Sequence, residues 1–189
     1  MPTIVTRCAD LEEVPWRNGL GLTREVAVES DAVGPLWRIS IADVSAAGPF
    51  STFDGLDRVL LVVGGEGLVL DVDGVEHHLS RLDSHEFAGE AATFGRPVGG
   101  AVQALNLMTR RGSVDGSLRI IHAGDGDAVG PPGGATVLLA IDPMDVHVGT
   151  SEVHLDPLDA VRAEAPVTIT TGGAAVLVTV RVSRDPSGS

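Results

Sequence analysis

The stretch "RVLLVVGGEGLVLDVDGVEHHLS", residues 58–80, constrains the fold more than any other part of the chain. Its apolar runs are separated by Gly-rich and Asp-Gly breaks too short to hold a helix, so consecutive strands must double back as hairpins. The same rhythm runs on either side. "TREVAVE" (23–29) alternates, and "WRISIADV" (37–44) sets Trp37, Ile39 and Ile41 against Arg38, Ser40 and Ala42. "AAGPFSTFDGLD" supplies a Gly-Pro turn and a loop, "HEFAGEAATFGRPVGG" a short strand and a turn, and "AVQALNLMTRRG" the next strand. After a Gly/Asp/Pro-rich connection at 123–134, "ATVLLAID", "DVHVGTSEVHL", "APVTITT" and "AAVLVTVRV" all suit strands. "DPLDAVRAEA" is the one expected helical turn, and the tail 183–189 is expected to be disordered. With 3% aromatics and no tyrosine, the core must be built from Val, Leu, Ile and Ala. The expected class is all-β: a sandwich, barrel or jelly roll.

Charge narrows the function classes. The 189 residues carry a net charge of −13, with 13 Arg, no Lys and 26 acidic residues. Residues 1–112 hold 9 Arg against 16 acids, and residues 113–189 hold 4 against 10, so neither part is a basic module. Phosphate binding needs a basic face, so nucleic acid is not an expected partner, nor is an anionic membrane surface. The single Cys8 cannot form an internal disulfide and reads as a small buried hydrophobe. The N-terminus "MPTIVTRCADLEEV" has acids where a signal peptide would have a basic start and an apolar run, and no apolar stretch is long enough to span a bilayer. The expected location is the cytoplasm.

Most local motifs have plain readings. "GGEG" at 64–67 lacks the Lys-Ser/Thr end of a phosphate loop and reads as a hairpin turn. "DVDG" at 71–74 and "GDGD" at 124–127 lack the ligand count of a calcium loop and read as turns. There is no G-x-S-x-G elbow. His77, His78 and His85 lie near Glu86 and Glu90, but adjacent His77 and His78 point to opposite faces of a strand, and no H-x-H pair exists. These histidines read as solvated surface groups, and no metal or other cofactor is expected.

The polar faces of the strands are more informative. Thr23 and Glu25 share one face, Arg38 and Ser40 another, and Asn106, Met108 and Arg110 a third, while Arg58 opens an otherwise apolar strand. From the pattern alone, such faces can be solvated surface or the lining of a cavity.

Taken together, "PWRNGLGLTREVA", "WRISIADVSAAGPFSTFDGLDRVLLVVGGEGL" and "LNLMTRR" resemble the HutD/Ves family, in order, over roughly residues 14–112. The remainder resembles it only in length and strand rhythm. The resemblance implies a bicupin of two small jelly-roll-like β-barrels: residues 1–112 carrying a pocket, 113–182 forming the second barrel, and 183–189 a tail. It further implies a protein linked to bacterial histidine utilisation that senses or buffers a metabolite. One departure stands out: the family's "NGGG" appears here as Asn18-Gly19-Leu20-Gly21.

Carried over by position, the implied site residues are Trp16, Asn18, Thr23, Glu25, Arg38, Ser40, Phe50, Ser51, Arg58, Asn106, Met108 and Arg110. The strand members among them fall largely on the polar parity, which favours the inward reading. Arg38, Arg58 and Arg110 with Glu25 would then give a local charge of about +2, suited to gripping a carboxylate through paired hydrogen bonds. Asn106, Ser40 and Thr23 would orient the ligand's other polar atoms, and Met108, Phe50 and Trp16 would supply apolar walls. The expected partner is a small anionic metabolite such as urocanate or formylglutamate, bound without turnover. The alternative is a metal-free cupin isomerase or hydrolase with Glu25 as base and Arg58 stabilising an oxyanion. A homodimer is left open.

Overall fold

The computed structural model describes residues 3–16, 18–122, 127–128, 134–164 and 166–182. Among these residues nineteen strands follow in chain order: β1 (Ile4–Thr6), β2 (Val14–Pro15), β3 (Gly21–Ser30), β4 (Pro35–Val44), β5 (Gly48–Pro49), β6 (Leu56–Gly64) and β7 (Gly67–Val72). β8 (Val75–Ser80), β9 (Ser84–Ala88), β10 (Thr93–Val98), β11 (Val102–Arg110), β12 (Val114–His122) and β13 (Asp127–Ala128) come next. The last are β14 (Gly134–Ala140), β15 (Met144–Val148), β16 (Ser151–Leu155), β17 (Ala160–Ala163), β18 (Val167–Gly172) and β19 (Ala174–Val182). The one helical element among the described residues is a 3-10 turn at Cys8–Asp10.

The chain divides into two units, residues 12–111 and residues 1–11 with 112–189. The first has a six-stranded sheet, ordered β2-β3-β4-β11-β6-β9, and a four-stranded sheet, β5-β10-β7-β8. The second has a five-stranded sheet, β1-β17-β14-β19-β12, and a four-stranded sheet, β13-β18-β15-β16. All strand pairings among the described residues are antiparallel. The first eleven residues belong to the second unit because β1 pairs with β17. Buried Asp159 fastens them there, accepting bonds from the Cys8 amide at 2.8 Å and the Arg7 guanidinium at 2.7 Å.

Local chemistry explains the turns. Asp73 and Gly74 both take positive φ (51° and 84°), the two-residue hairpin that Asp-Gly favours between β7 and β8. "GGEG" likewise only turns the chain from β6 to β7. The expected helical turn in "DPLDAVRAEA" is instead a turn followed by β17. Ala160, Val161 and Ala163 are buried, and β17 pairs with β14 on one side and β1 on the other, so sheet pairing outweighs helix propensity. Residues 124–126 of "GDGD" and the tail 183–189 lie outside the described residues.

The two units differ inside. In the second, Leu138, Ala140, Met144, Val146, Leu155, Val161 and Leu177 belong to one apolar cluster drawn from both sheets. In the first, the apolar cluster of Leu60, Val62, Leu68, Leu70, Leu79, Val102 and Ala104 fills only part of the interior. Along the same face of the same strands the residues then become polar. Val102 and Ala104 give way to Asn106 and Met108 on β11, Val62 and Leu60 to Arg58 on β6, and Ala42 to Ser40 and Arg38 on β4. The opposite face is also buried: Leu105, Leu107, Ile39 and Ile41 are each at most 1% exposed.

Candidate functional site

The polar end of the first unit's interior is a cavity of about 490 Å³. Strand register explains why these side chains converge. Met108 on β11 pairs with Arg38 of β4 on one side and Arg58 of β6 on the other. Asn106, two residues along, pairs with Ser40 and Leu60. Residues at matching register point to the same face, so Arg38, Ser40, Arg58, Asn106 and Met108 form one patch. Thr23 joins it from β3, and its hydroxyl accepts the Trp16 indole N–H at 2.8 Å. Trp16 meets Phe50 edge to face with ring centroids 5.4 Å apart. Phe50 can lie this deep because residue 95 is glycine: a Cβ there would sit 2.6 Å from the ring.

Arg58 dominates the electrostatics. It is 4% exposed, and among the described residues no carboxylate pairs with it. One terminal nitrogen donates to Asn106 Oδ1 at 2.8 Å and the other to the Ser51 carbonyl at 3.3 Å, while Nε has no partner. The rings of Phe87, Phe53 and Phe50 lie 4.8, 5.4 and 5.9 Å from its guanidinium carbon. Burial, and secondarily the nearby Arg38 cation, push its pKa down to about 10. Arginine can only donate, so Asn106 must present its oxygen to Arg58; its amide NH₂ has no partner among the described residues. The cavity wall therefore offers donors and a cation that no carboxylate among the described residues neutralises.

Of the residues singled out in the sequence, Trp16, Asn18, Thr23, Arg38, Ser40, Phe50, Ser51, Arg58, Asn106 and Met108 line this cavity. Glu25 does not line it; half exposed, it accepts a 2.7 Å bond from Arg38 Nε. A β-bulge between Glu25 and Ala27 lies at this point of β3. Arg110 is a correction. It has the same parity as Asn106 and Met108 but sits at the end of β11, beyond the cavity. There it is bound by Asp31 at 2.7 and 3.0 Å and by the carbonyls of Gly34 and Pro35. The charge gathered at the cavity is thus nearer +1 than +2.

Val14, Pro15, Ala42, Pro49 and Phe53 also line the cavity and were not singled out. For Phe53 a signal existed: the chain has only four phenylalanines, and "FSTF" places two of them together. Leu20 lies against Gly48, where an added Cβ would displace the end of the Leu20 side chain, and the Leu20 amide donates to Asn18 Oδ1 at 3.1 Å.

The histidines are also a correction in part. His78 is exposed, as expected, but His77 and His85 are half-buried and stack at 3.6 Å between the edge strands β8 and β9. Burial and His77 lower the pKa of His85. Among the described residues no group of three or more His, Cys, Asp or Glu side chains is placed to hold a metal ion, and no helix is long and apolar enough to cross a membrane.

The HutD family model matches residues 8–178. The chain belongs to the HutD family. It is 39% identical over 107 residues to an uncharacterised 21.2 kDa protein in the hutC 3′ region of Pseudomonas putida, covering 54% of this chain and 55% of that protein. Protein Ves of Citrobacter koseri is 36% identical over 117 residues, covering 59% of this chain and 61% of its own length. The matched segment thus spans less than two thirds of the curated relatives. The structure of HutD from Pseudomonas fluorescens SBW25 superposes with a TM-score of 0.81 at 24% identity, covering 97% of this chain and 100% of that one. The fold is also similar to that of a cupin 2 conserved barrel domain protein from Leptotrichia buccalis, with a TM-score of 0.58 at 12% identity, covering 85% of this chain and 89% of that one.

Proposed function

We propose that this HutD-family protein binds a small carboxylate in the cavity of residues 12–111 and acts by sensing or buffering that metabolite. The observation that carries this reading is Arg58: a buried guanidinium in a cavity wall, with an unpartnered Nε and no carboxylate partner among the described residues. Burying an unpaired cation is costly, and folds keep such a group where an anion completes it. A ligand carboxylate would be held through charge-assisted bonds by Arg58 and by the free amide NH₂ of Asn106. Trp16, Phe50, Phe53 and Met108 would enclose its apolar part. The structure of the Pseudomonas fluorescens HutD is described as a formate condition, formate being the smallest carboxylate. The link of the family's names to the hut genes makes urocanate and formylglutamate the first ligands to try.

Glu25 is a poor general base in this arrangement, because its carboxylate already accepts from Arg38 and it does not line the cavity. Binding without turnover is therefore the reading favoured here. Calorimetric titration tests it. Urocanate or formylglutamate should bind, the matching uncharged amides should not, and Arg58→Met should abolish the signal. Equal affinity for acid and amide would overturn the proposal.

A further inference from the structure

We propose that the cavity of residues 12–111 rejects free amino acids and admits carboxylates whose α-amino group is absent or acylated. The inference rests on the carboxylate reading of Arg58 and adds what the rest of the wall requires of the ligand.

That wall is rich in donors and poor in acceptors. Among the described residues that line it there is no Asp or Glu. Its side-chain amide oxygens are already used: Asn106 Oδ1 accepts from Arg58 at 2.8 Å, and Asn18 Oδ1 from the Leu20 amide at 3.1 Å. The Ser51 carbonyl also accepts from Arg58, and the Thr23 hydroxyl from the Trp16 indole. The groups left to meet a ligand are Arg58 Nε, the amide NH₂ of Asn106 and the terminal nitrogens of Arg38, all of them donors. Ser40 adds a hydroxyl that can donate or accept. It is 2% exposed, has no hydrogen-bond partner among the described residues, and pairs in register with Asn106.

An α-amino acid is badly matched to such a wall. Its ammonium is a cation with donors only, one carbon away from the carboxylate, so gripping the carboxylate at Arg58 carries it into the cavity. There it gives up water for N–H groups and a guanidinium, with no acid to pair it. The zwitterion also brings no net charge, so the Arg58 cation stays uncompensated, whereas a simple carboxylate neutralises it. Removing the amino group abolishes the conflict. Acylating it does more, because the charge goes and a carbonyl oxygen arrives to accept from Ser40 or Asn106. Urocanate has no amino group and formylglutamate has an acylated one, so both meet this requirement, while histidine and glutamate do not.

A matched series of acids titrated by calorimetry into the unaltered protein decides it: imidazolepropionate, its α-hydroxy analogue imidazolelactate, histidine and formylhistidine. Hydroxyl and ammonium are nearly equal in size, so imidazolelactate against histidine separates charge from bulk. Imidazolepropionate, imidazolelactate and formylhistidine should all bind, and histidine should bind at least about thirty-fold more weakly than imidazolelactate. Where the imidazole acids are held too weakly to titrate, formylglutamate and hydroxyglutarate against glutamate give the same comparison. The inference is overturned, with the carboxylate reading intact, by a smaller gap between the ammonium and hydroxyl acids. It is equally overturned if both of those fail while imidazolepropionate binds, which would make the exclusion one of size, or if the formylated acid is as weak as the free amino acid. If none of these acids binds, and neither does urocanate, the carboxylate reading falls and this inference falls with it.

Discussion

Replacing Arg58 with methionine should make the ligand-free protein more stable while destroying its binding site. Burial and Arg38 hold the Arg58 pKa down to about 10. At ~1.4 kcal/mol per pH unit, the folded state disfavours the cation by about 3 kcal/mol. The penalty belongs to the charged form, so it is complete at any pH below about 10 and eases only as the pH rises through that value. Against it stand the bond to Asn106, worth about 1 kcal/mol, and the contacts with three phenyl rings, worth ~1 kcal/mol together. Methionine recovers part of the ring contact through its thioether. The net expectation is a gain of about 1 kcal/mol. Urea unfolding followed by tryptophan fluorescence measures it, because Trp16 and Trp37 both lie in the unit of residues 12–111. With saturating carboxylate the order should reverse, since the ligand stabilises only the wild type. A loss of more than about 1 kcal/mol in the ligand-free variant would refute the reasoning and make Arg58 a structural cation satisfied by its rings.

Arg110→Ala should leave carboxylate affinity unchanged, since that side chain is committed to Asp31, Gly34 and Pro35; calorimetry showing a loss of more than about ten-fold, equivalent to ~1.4 kcal/mol, would return Arg110 to the site. In the second unit, Asp159→Ala removes the acceptor of the Cys8 and Asp156 amides and of Arg7, and should cost about 2–4 kcal/mol, read as faster hydrogen exchange in residues 4–8. His154 is raised above the ordinary histidine value, chiefly by its bond to Asp145. Its contribution to stability is therefore full below about pH 6.5 and is lost as the pH rises through the folded value. Asp145→Asn should return the His154 titration, followed by NMR, toward the ordinary value.

Strand parity carried the sequence reading a long way. A period of two is enough to group Arg38 with Ser40, and Asn106 with Met108, and the apolar runs on both flanks make an inward polar face plausible. Parity does not say where along a strand a cavity ends. Arg110 satisfies the same rule as Asn106 yet lies past the rim, where Asp31 in the β3–β4 turn captures it. Glu25 illustrates the same limit beside a bulge, which no local pattern announces. Phe53 sits in a loop and has no periodicity to reveal it, although three of the chain's four phenylalanines surround Arg58. The stacking of His77 on His85 depends on how close the edges of two different sheets approach, a long-range property that the short connection between β8 and β9 only hints at.

The most direct test of the central claim is a crystal structure of the protein with urocanate at a concentration that saturates the calorimetric signal. The account predicts the carboxylate in the cavity of residues 12–111, within hydrogen-bond distance of the Arg58 guanidinium and the Asn106 amide, with Arg58 still buried. A ligand seated elsewhere, or oriented with its imidazole against Arg58 and its carboxylate toward solvent, would contradict it.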